Sequence, residues 1–158
     1  MNRKKHLIEL FHELGAIKYG DYYLVSGKIS HYKIHADIVL NSPEGYRLAG
    51  ELGRGRIKDH ALAGVATGGV LFARAVGDNV LSVDPKRKVV EGVVEKRPYA
   101  LLEDVTTTGG SVLRSIELMR GIEVNYVLVL VDRCEGALER LKDYNAECIL
   151  TSEDLGIL

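Results

Sequence analysis

The sequence predicts an α/β fold: a mostly parallel sheet flanked by helices. Two observations carry this. Residues 61–66, 99–102 and 124–131 are continuous apolar runs rather than alternating ones, and each is followed by a stretch of helical spacing. Strands that read as unbroken apolar runs are buried on both faces, which requires helices on each side of a parallel sheet. The length of 158 residues, with 46% hydrophobic residues, fits one domain and a core that needs no disulfide or metal.

The elements follow in order. Leu7, Leu10, Phe11 and Leu14 recur at helical spacing and predict an amphipathic first helix. Residues 22–25 and 32–35 read as two strands joined by a polar turn over 26–30. Pro43 opens a helix through Glu44, Leu48 and Leu52, weakened towards its end by Gly53 and Gly55. A strand over 61–66 leads through Thr67-Gly68-Gly69 into a helix over 70–76. Residues 80–83 and 89–94 are strands around the charged turn Asp84-Pro85-Lys86-Arg87-Lys88. The run 99–102 is ended by Glu103-Asp104, and a helix follows over 111–120. A strand over 124–131, a helix over 135–142 and a strand over 146–150 complete the chain.

The charge balance is even, 21 Lys+Arg against 22 Asp+Glu, which argues against duplex nucleic acid or an anionic membrane surface as the main partner. No apolar run approaches the ~20 residues of a membrane-spanning helix. Charges interrupt the N-terminal segment every few residues, so it cannot serve as a signal-peptide core, and a cytoplasmic location is expected. Cys134 and Cys148 form no CxxC pair and neighbour no histidine cluster of metal-ligand spacing. They read as free thiols without a chemical role.

In a sheet of this kind ligands sit beyond the carboxyl ends of the strands, which directs attention to the loops after 66, 102 and 131. The richest is Glu103-Asp104-Val105-Thr106-Thr107-Thr108-Gly109-Gly110-Ser111. Two adjacent carboxylates at the end of a buried strand need a partner, which a divalent cation or ligand hydroxyls would supply. Hydroxyls and backbone N–H groups leading into a helix N-terminus form a cradle for a phosphate. The bland alternative is a helix cap beside a solvated strand end. Neither GxxxxGK[ST] nor a GxGxxG after a strand is present, which disfavours P-loop hydrolysis and dinucleotide binding.

This segment resembles the phosphoribosyl-pyrophosphate (PRPP) motif of the type I phosphoribosyltransferases. Leu24-Val25-Ser26-Gly27-Lys28-Ile29-Ser30-His31-Tyr32 is similar to the Ser-Gly-x-x-Ser-x-Tyr hairpin of orotate phosphoribosyltransferases, and Val131-Asp132-Arg133-Cys134-Glu135-Gly136 to their Asp-Arg-Glu-Glu-Gly segment. The resemblance implies a hood and base-binding part over 1–40, a PRPP-binding core over 41–158, and a homodimer. It implies that Glu103 and Asp104 hold the ribose hydroxyls, directly or through Mg²⁺. It further implies that Val105 lies in the PRPP site, that Thr106, Thr107, Thr108, Gly109, Gly110 and Ser111 wrap the 5′-phosphate, and that Thr67, Gly68 and Gly69 present backbone to the pyrophosphate. Lys28, Thr107 and Arg133 would contact orotate, with Arg133 on its carboxylate; a surface ion pair with Asp132 or Glu135 is the other reading of Arg133.

The activity implied is transfer of phosphoribosyl from PRPP to orotate with release of pyrophosphate. The sequence departs from the family between the central strands, where a mobile lid with Lys-x-His-Gly-x-Gly is usual. Here a short turn carries Lys86, Arg87 and Lys88, which are left to supply charge to the pyrophosphate alongside catalytic Asp104 or else to solvate the turn. Val25 stands where many relatives have a lysine, Lys33 and Ile34 replace aromatic residues, and Cys134 replaces an acidic one. Two other readings stay open: a non-catalytic PRPP- or nucleotide-binding protein of the same fold, or transfer to another base.

Overall fold

A computed structural model describes residues 2–24 and 27–157. The expectations for Val25 and Ser26 therefore lie outside the described residues.

The N-terminal helix α1 (Arg3–Glu13) is capped by Asn2, whose side chain accepts the Lys5 N–H, and buries Leu7, Leu10 and Phe11. A hairpin follows, β1 (Ile17–Tyr23) antiparallel to β2 (Ile29–Ile34), with an irregularity between Tyr19 and Tyr22. Its first strand starts earlier than the sequence suggests, because all but Ile17 and Tyr22 are exposed and no apolar pattern marks it. The short helix α2 (Ala36–Leu40) is not signalled in the sequence; five residues are too few for a period, yet Ala36, Val39 and Leu40 are buried. Helix α3 (Pro43–Arg54) begins as expected, with Pro43 in its first turn and the Ser42 hydroxyl accepting the Gly45 N–H. It continues through Gly53, where a Cβ would lie 2.5 Å from Val76 Cγ2, so this glycine serves helix packing rather than helix ending.

The main sheet has six strands in the order β5-β4-β3-β6-β7-β8. They are β3 (Ala61–Val65), β4 (Val80–Asp84), β5 (Val89–Glu91), β6 (Tyr99–Thr106), β7 (Val124–Asp132) and β8 (Glu147–Thr151). All neighbours are parallel except β5, which returns antiparallel along β4. Helix α4 (Gly68–Val76) connects β3 to β4, α5 (Gly110–Leu118) connects β6 to β7, and α6 (Ala137–Arg140) with a 3₁₀ turn over Lys142–Tyr144 connects β7 to β8. The last helix is much shorter than the expected 135–142, and β6 runs on through Glu103-Asp104 instead of ending there.

Alternation along the strands fills both sides. Leu62, Ala100, Leu102, Leu128 and Leu130 join the core under α1, α2, α3 and α4, with Phe72 and Phe11. Ala61, Ala63, Leu101, Val127 and Val129 join the core under α5 and α6, with Val112 and Met119. The chain leaves β3 towards one edge over the first face and leaves β6 towards the other edge over the second. The carboxyl ends of β3 and β6 therefore form a topological switch point, where open α/β sheets bind ligands.

Small residues bring the backbone together there. A Cβ on Gly64 would lie 2.5 Å from Gly69 O and 2.6 Å from Val70 Cα, and one on Gly69 would lie 2.5 Å from Leu102 O. Both obstacles are backbone and cannot swing away. Gly64→Ala is expected to cost about 1–3 kcal/mol in urea unfolding through overpacking. Gly20→Ala, whose nearest obstacle is the Tyr22 ring at 3.6 Å, should stay within about 0.5 kcal/mol.

Candidate active site at the switch point

Two loops meet at the switch point. Thr67 precedes α4, and a Cβ at Gly68 would overlap the Asp104 carboxylate, so the loop after β3 lies directly against Asp104. The loop after β6 turns at Gly109, whose φ of 86° favours glycine, and enters α5 at Gly110. Thr107 is half-buried and Thr108 exposed, with the Thr108 carbonyl accepting from Arg140 Nη1 at 3.3 Å. Ser111 does not cap α5; its hydroxyl faces Arg114 Nη2 at 3.3 Å while its carbonyl accepts from Ser115 Oγ at 2.8 Å. The structure thus brings together Thr67, Gly68, Gly69 and Asp104, with the Thr-Gly loop at the head of a helix beside them.

Glu103 and Asp104 are adjacent but not equivalent. Strand alternation sends them to opposite faces, Asp104 towards α4 and Glu103 towards α5. Glu103 is only 7% exposed, and its Oε1 accepts the Asp104 N–H at 3.0 Å. Burial, reinforced by the Asp104 charge, holds the Glu103 carboxyl well above the usual carboxylate range. Among the described residues no group of three or more His, Cys, Asp or Glu side chains could hold a metal ion by itself. A cation held here would need oxygens from a phosphorylated ligand as well, which is how Mg²⁺ is commonly bound.

Arg133 follows β7, and its N–H donates to Thr106 O at 3.0 Å, which ties it to the end of β6. Its side chain is 9% exposed and lies in a cleft of about 490 Å³ between the hairpin and the C-terminal turn. Lys28 lines the same cleft, as do Ser30, Tyr32, Ser152 and Ile157. Arg133 does pair with Glu135, Nε to Oε2 at 3.1 Å, but as a largely buried group. Lys28 and Arg133 are thus brought together; Thr107 does not line this cleft. Ser152, whose hydroxyl donates to Arg133 O at 3.2 Å, had no signal in the sequence.

The basic turn is tight. Asp84 Oδ1 accepts the N–H groups of Lys86 at 3.0 Å and Arg87 at 3.1 Å, an arrangement that closes the chain over itself. Arg87 reaches Glu91 at 3.9 Å, and Lys88 lines a groove with Pro85, Arg114 and Arg120 on the outer side of α5. Burial pushes the Cys148 thiol up to about 11, so it stays protonated at neutral pH.

The raised Glu103 carboxyl carries a stability consequence. Above the ordinary carboxylate value the unfolded chain releases this proton while the folded protein retains it. The folded state then binds more protons, and stability falls as pH rises through that window. Glu103→Gln removes the penalty without changing size. The variant should gain on the wild type as pH is raised from 4 to 7, by up to about 1.4 kcal/mol per pH unit in denaturant unfolding. A constant difference across that range would contradict it.

No protein-family model matches the chain. Curated relatives do: orotate phosphoribosyltransferase of Methanocaldococcus jannaschii is 38% identical, over 94% of this chain and 93% of that one. The enzyme of the same name from Methanosarcina acetivorans is 35% identical over 97% and 91%. Among solved structures, orotate phosphoribosyltransferase from Aeropyrum pernix superposes with a TM-score of 0.81 at 33% identity, covering 94% of this chain and 96% of that chain. Sequence similarity over nearly the whole length, on the same fold, makes this chain a member of the orotate phosphoribosyltransferase family.

Proposed function

We propose that the chain transfers the phosphoribosyl group of PRPP to orotate, releasing pyrophosphate. The observation that carries this is the pairing of two sites at neighbouring strand ends. A glycine-lined phosphate cradle abuts Asp104, and a cleft at the next strand holds a buried guanidinium. An anionic sugar phosphate and a carboxylate-bearing base suit these two sites respectively.

In this reading a ring nitrogen of the base attacks the anomeric carbon as the bond to pyrophosphate breaks. Positive charge grows on the ribose ring and negative charge on the departing group, so the protein contributes orientation and electrostatics rather than a covalent intermediate. Thr106 to Ser111 and the N-terminus of α5 hold the 5′-phosphate. Thr67, Gly68 and Gly69 offer backbone to the pyrophosphate. Asp104 holds the ribose hydroxyls and, with ligand oxygens, would hold Mg²⁺, whereas Glu103, buried on the opposite face, supports the strand end from behind. When bound, that ion supplies charge neutralisation at the leaving group. Lys28 and Arg133 orient orotate, while Thr107, which does not line their cleft, stays with the 5′-phosphate loop. The division into a hood over 1–40 and a core over 41–158, acting as a homodimer, belongs to the same proposal.

One observation supports a second reading. The turn between β4 and β5 is held closed by Asp84, so nothing there has the reach of a lid. A non-catalytic PRPP-binding protein would need none. Against this, the turn follows β4 at the same carboxyl edge as the cradle, next to β3, whose following residue Ala66 donates to Val83 O. Among the described residues the Lys86 ammonium has no ion-pair or hydrogen-bond partner.

The test is turnover of orotate, followed by its absorbance, with purified protein, Mg²⁺ and PRPP. The wild type should turn over. Asp104→Asn should lower kcat by about 10²-fold or more, the range for a removed transition-state contact. Alanine at Lys86, Arg87 and Lys88 together should lower kcat with little change in the KM for orotate. Tight PRPP binding in calorimetry without turnover of any base would favour the second reading, and turnover of a different base would reassign the substrate.

A further inference from the structure

The side chain of Arg133 is gripped from the hairpin, more than a hundred residues away in the sequence. Its Nε donates to Tyr32 Oη at 3.1 Å, and its Nη2 donates to Ser30 Oγ at 2.8 Å. The guanidinium carbon stands 4.0 Å from the centre of the Tyr32 ring, within the range of a cation–π contact. Glu135 shares the Nε edge at 3.1 Å. The Ser30 hydroxyl proton is already spent on Tyr32 O at 2.7 Å, so towards Arg133 this oxygen can only accept.

A guanidinium has five N–H groups. Here Nε and one N–H of Nη2 are committed; the two of Nη1 and the other of Nη2 have no protein partner among the described residues. One of the Nη1 pair and the remaining Nη2 N–H lie along the Nη1–Nη2 edge, and a carboxylate binds such an edge through two parallel hydrogen bonds. The ring face sets the plane of the guanidinium, and the serine and tyrosine oxygens set which edge remains open. An arginine without these restraints would spread over many rotamers, and binding a carboxylate would then cost the entropy of ordering it.

We propose that Tyr32, assisted by Ser30, is a positioning residue for the base site: it orients Arg133 so that the Nη1–Nη2 edge is presented to the carboxylate of the incoming base. The hairpin thereby determines recognition of an acidic base. This rests on the assignment of orotate as the base.

The test is steady-state kinetics with orotate and PRPP for Tyr32→Ala, Tyr32→Phe, Ser30→Ala, Arg133→Ala and the double variant Tyr32→Ala/Arg133→Ala. Tyr32→Ala should raise the KM for orotate at least about tenfold, the scale of a lost cation–π contact to a largely desolvated guanidinium, and leave the KM for PRPP within about twofold. Tyr32→Phe, which keeps the ring under the guanidinium, should recover most of that loss. Ser30→Ala gives a milder rise of the same kind and keeps the test open should Tyr32→Ala fold poorly. In the Arg133→Ala background Tyr32→Ala should change the KM for orotate less than about twofold, because the two act as one unit. Additive effects, a parallel rise in the KM for PRPP, or an unaltered KM for orotate in Tyr32→Ala would overturn the proposal. If Arg133→Ala itself leaves the KM for orotate unchanged, the assignment of the base site fails too, which separates the two failures.

Discussion

The close approach of three backbone segments at the switch point is the constraint on which the rest of the structure depends. Gly64 on β3, Gly68 and Gly69 at the start of α4, and Leu102 to Asp104 on β6 lie within van der Waals distance of one another. Any side chain in that seam would push α4 away from the sheet. With none, the helix seats on β3 and β6 at once, and its first residues lie against the carboxylate that ends the apolar part of β6. Fold and proposed site thus depend on the same packing, since the seam that joins α4 to the sheet also sets the Thr67–Gly69 loop against Asp104.

Electrostatics follow from this geometry. Asp104 stays partly open, facing the Thr67–Gly69 loop, while Glu103 is turned into the opposite core, where burial raises its carboxyl above the usual range. The near balance of Lys and Arg with Asp and Glu over the chain is compatible with the proposed small ligand held by backbone groups. At the next strand end the balance is reversed: Arg133 is buried and cationic, and its surroundings are hydroxyls, an aromatic face and one carboxylate.

The central strands were legible in the sequence because each is apolar on both faces, so burial alone marks them. The loop over 103–111 stood out because glycine and hydroxyl side chains in one short loop before a helix suit a phosphate, which is the role proposed for it. What escaped reading was non-local. Glu103-Asp104 looked like a strand end, since charge usually marks one, yet β6 carries both and continues to Thr106 because β7 pairs with it that far. Helix α2 is too short to show a period. Arg133 gave no sign of whether its side chain was exposed or buried, because Ser30 and Tyr32 reach it across separations of 103 and 101 residues. Sequence spacing carries no information about such a contact until the hairpin is placed.

The account stands or falls on whether the glycine seam forms the ligand site, and calorimetric titration of PRPP into Gly68→Ala, with Mg²⁺ present and folding verified by circular dichroism, is the most direct test. A Cβ there must displace either Asp104 or the loop. The predicted result is a folded protein whose affinity for PRPP is at least about tenfold weaker than wild type, or 1.4 kcal/mol. Wild-type affinity in a folded Gly68→Ala protein would contradict it.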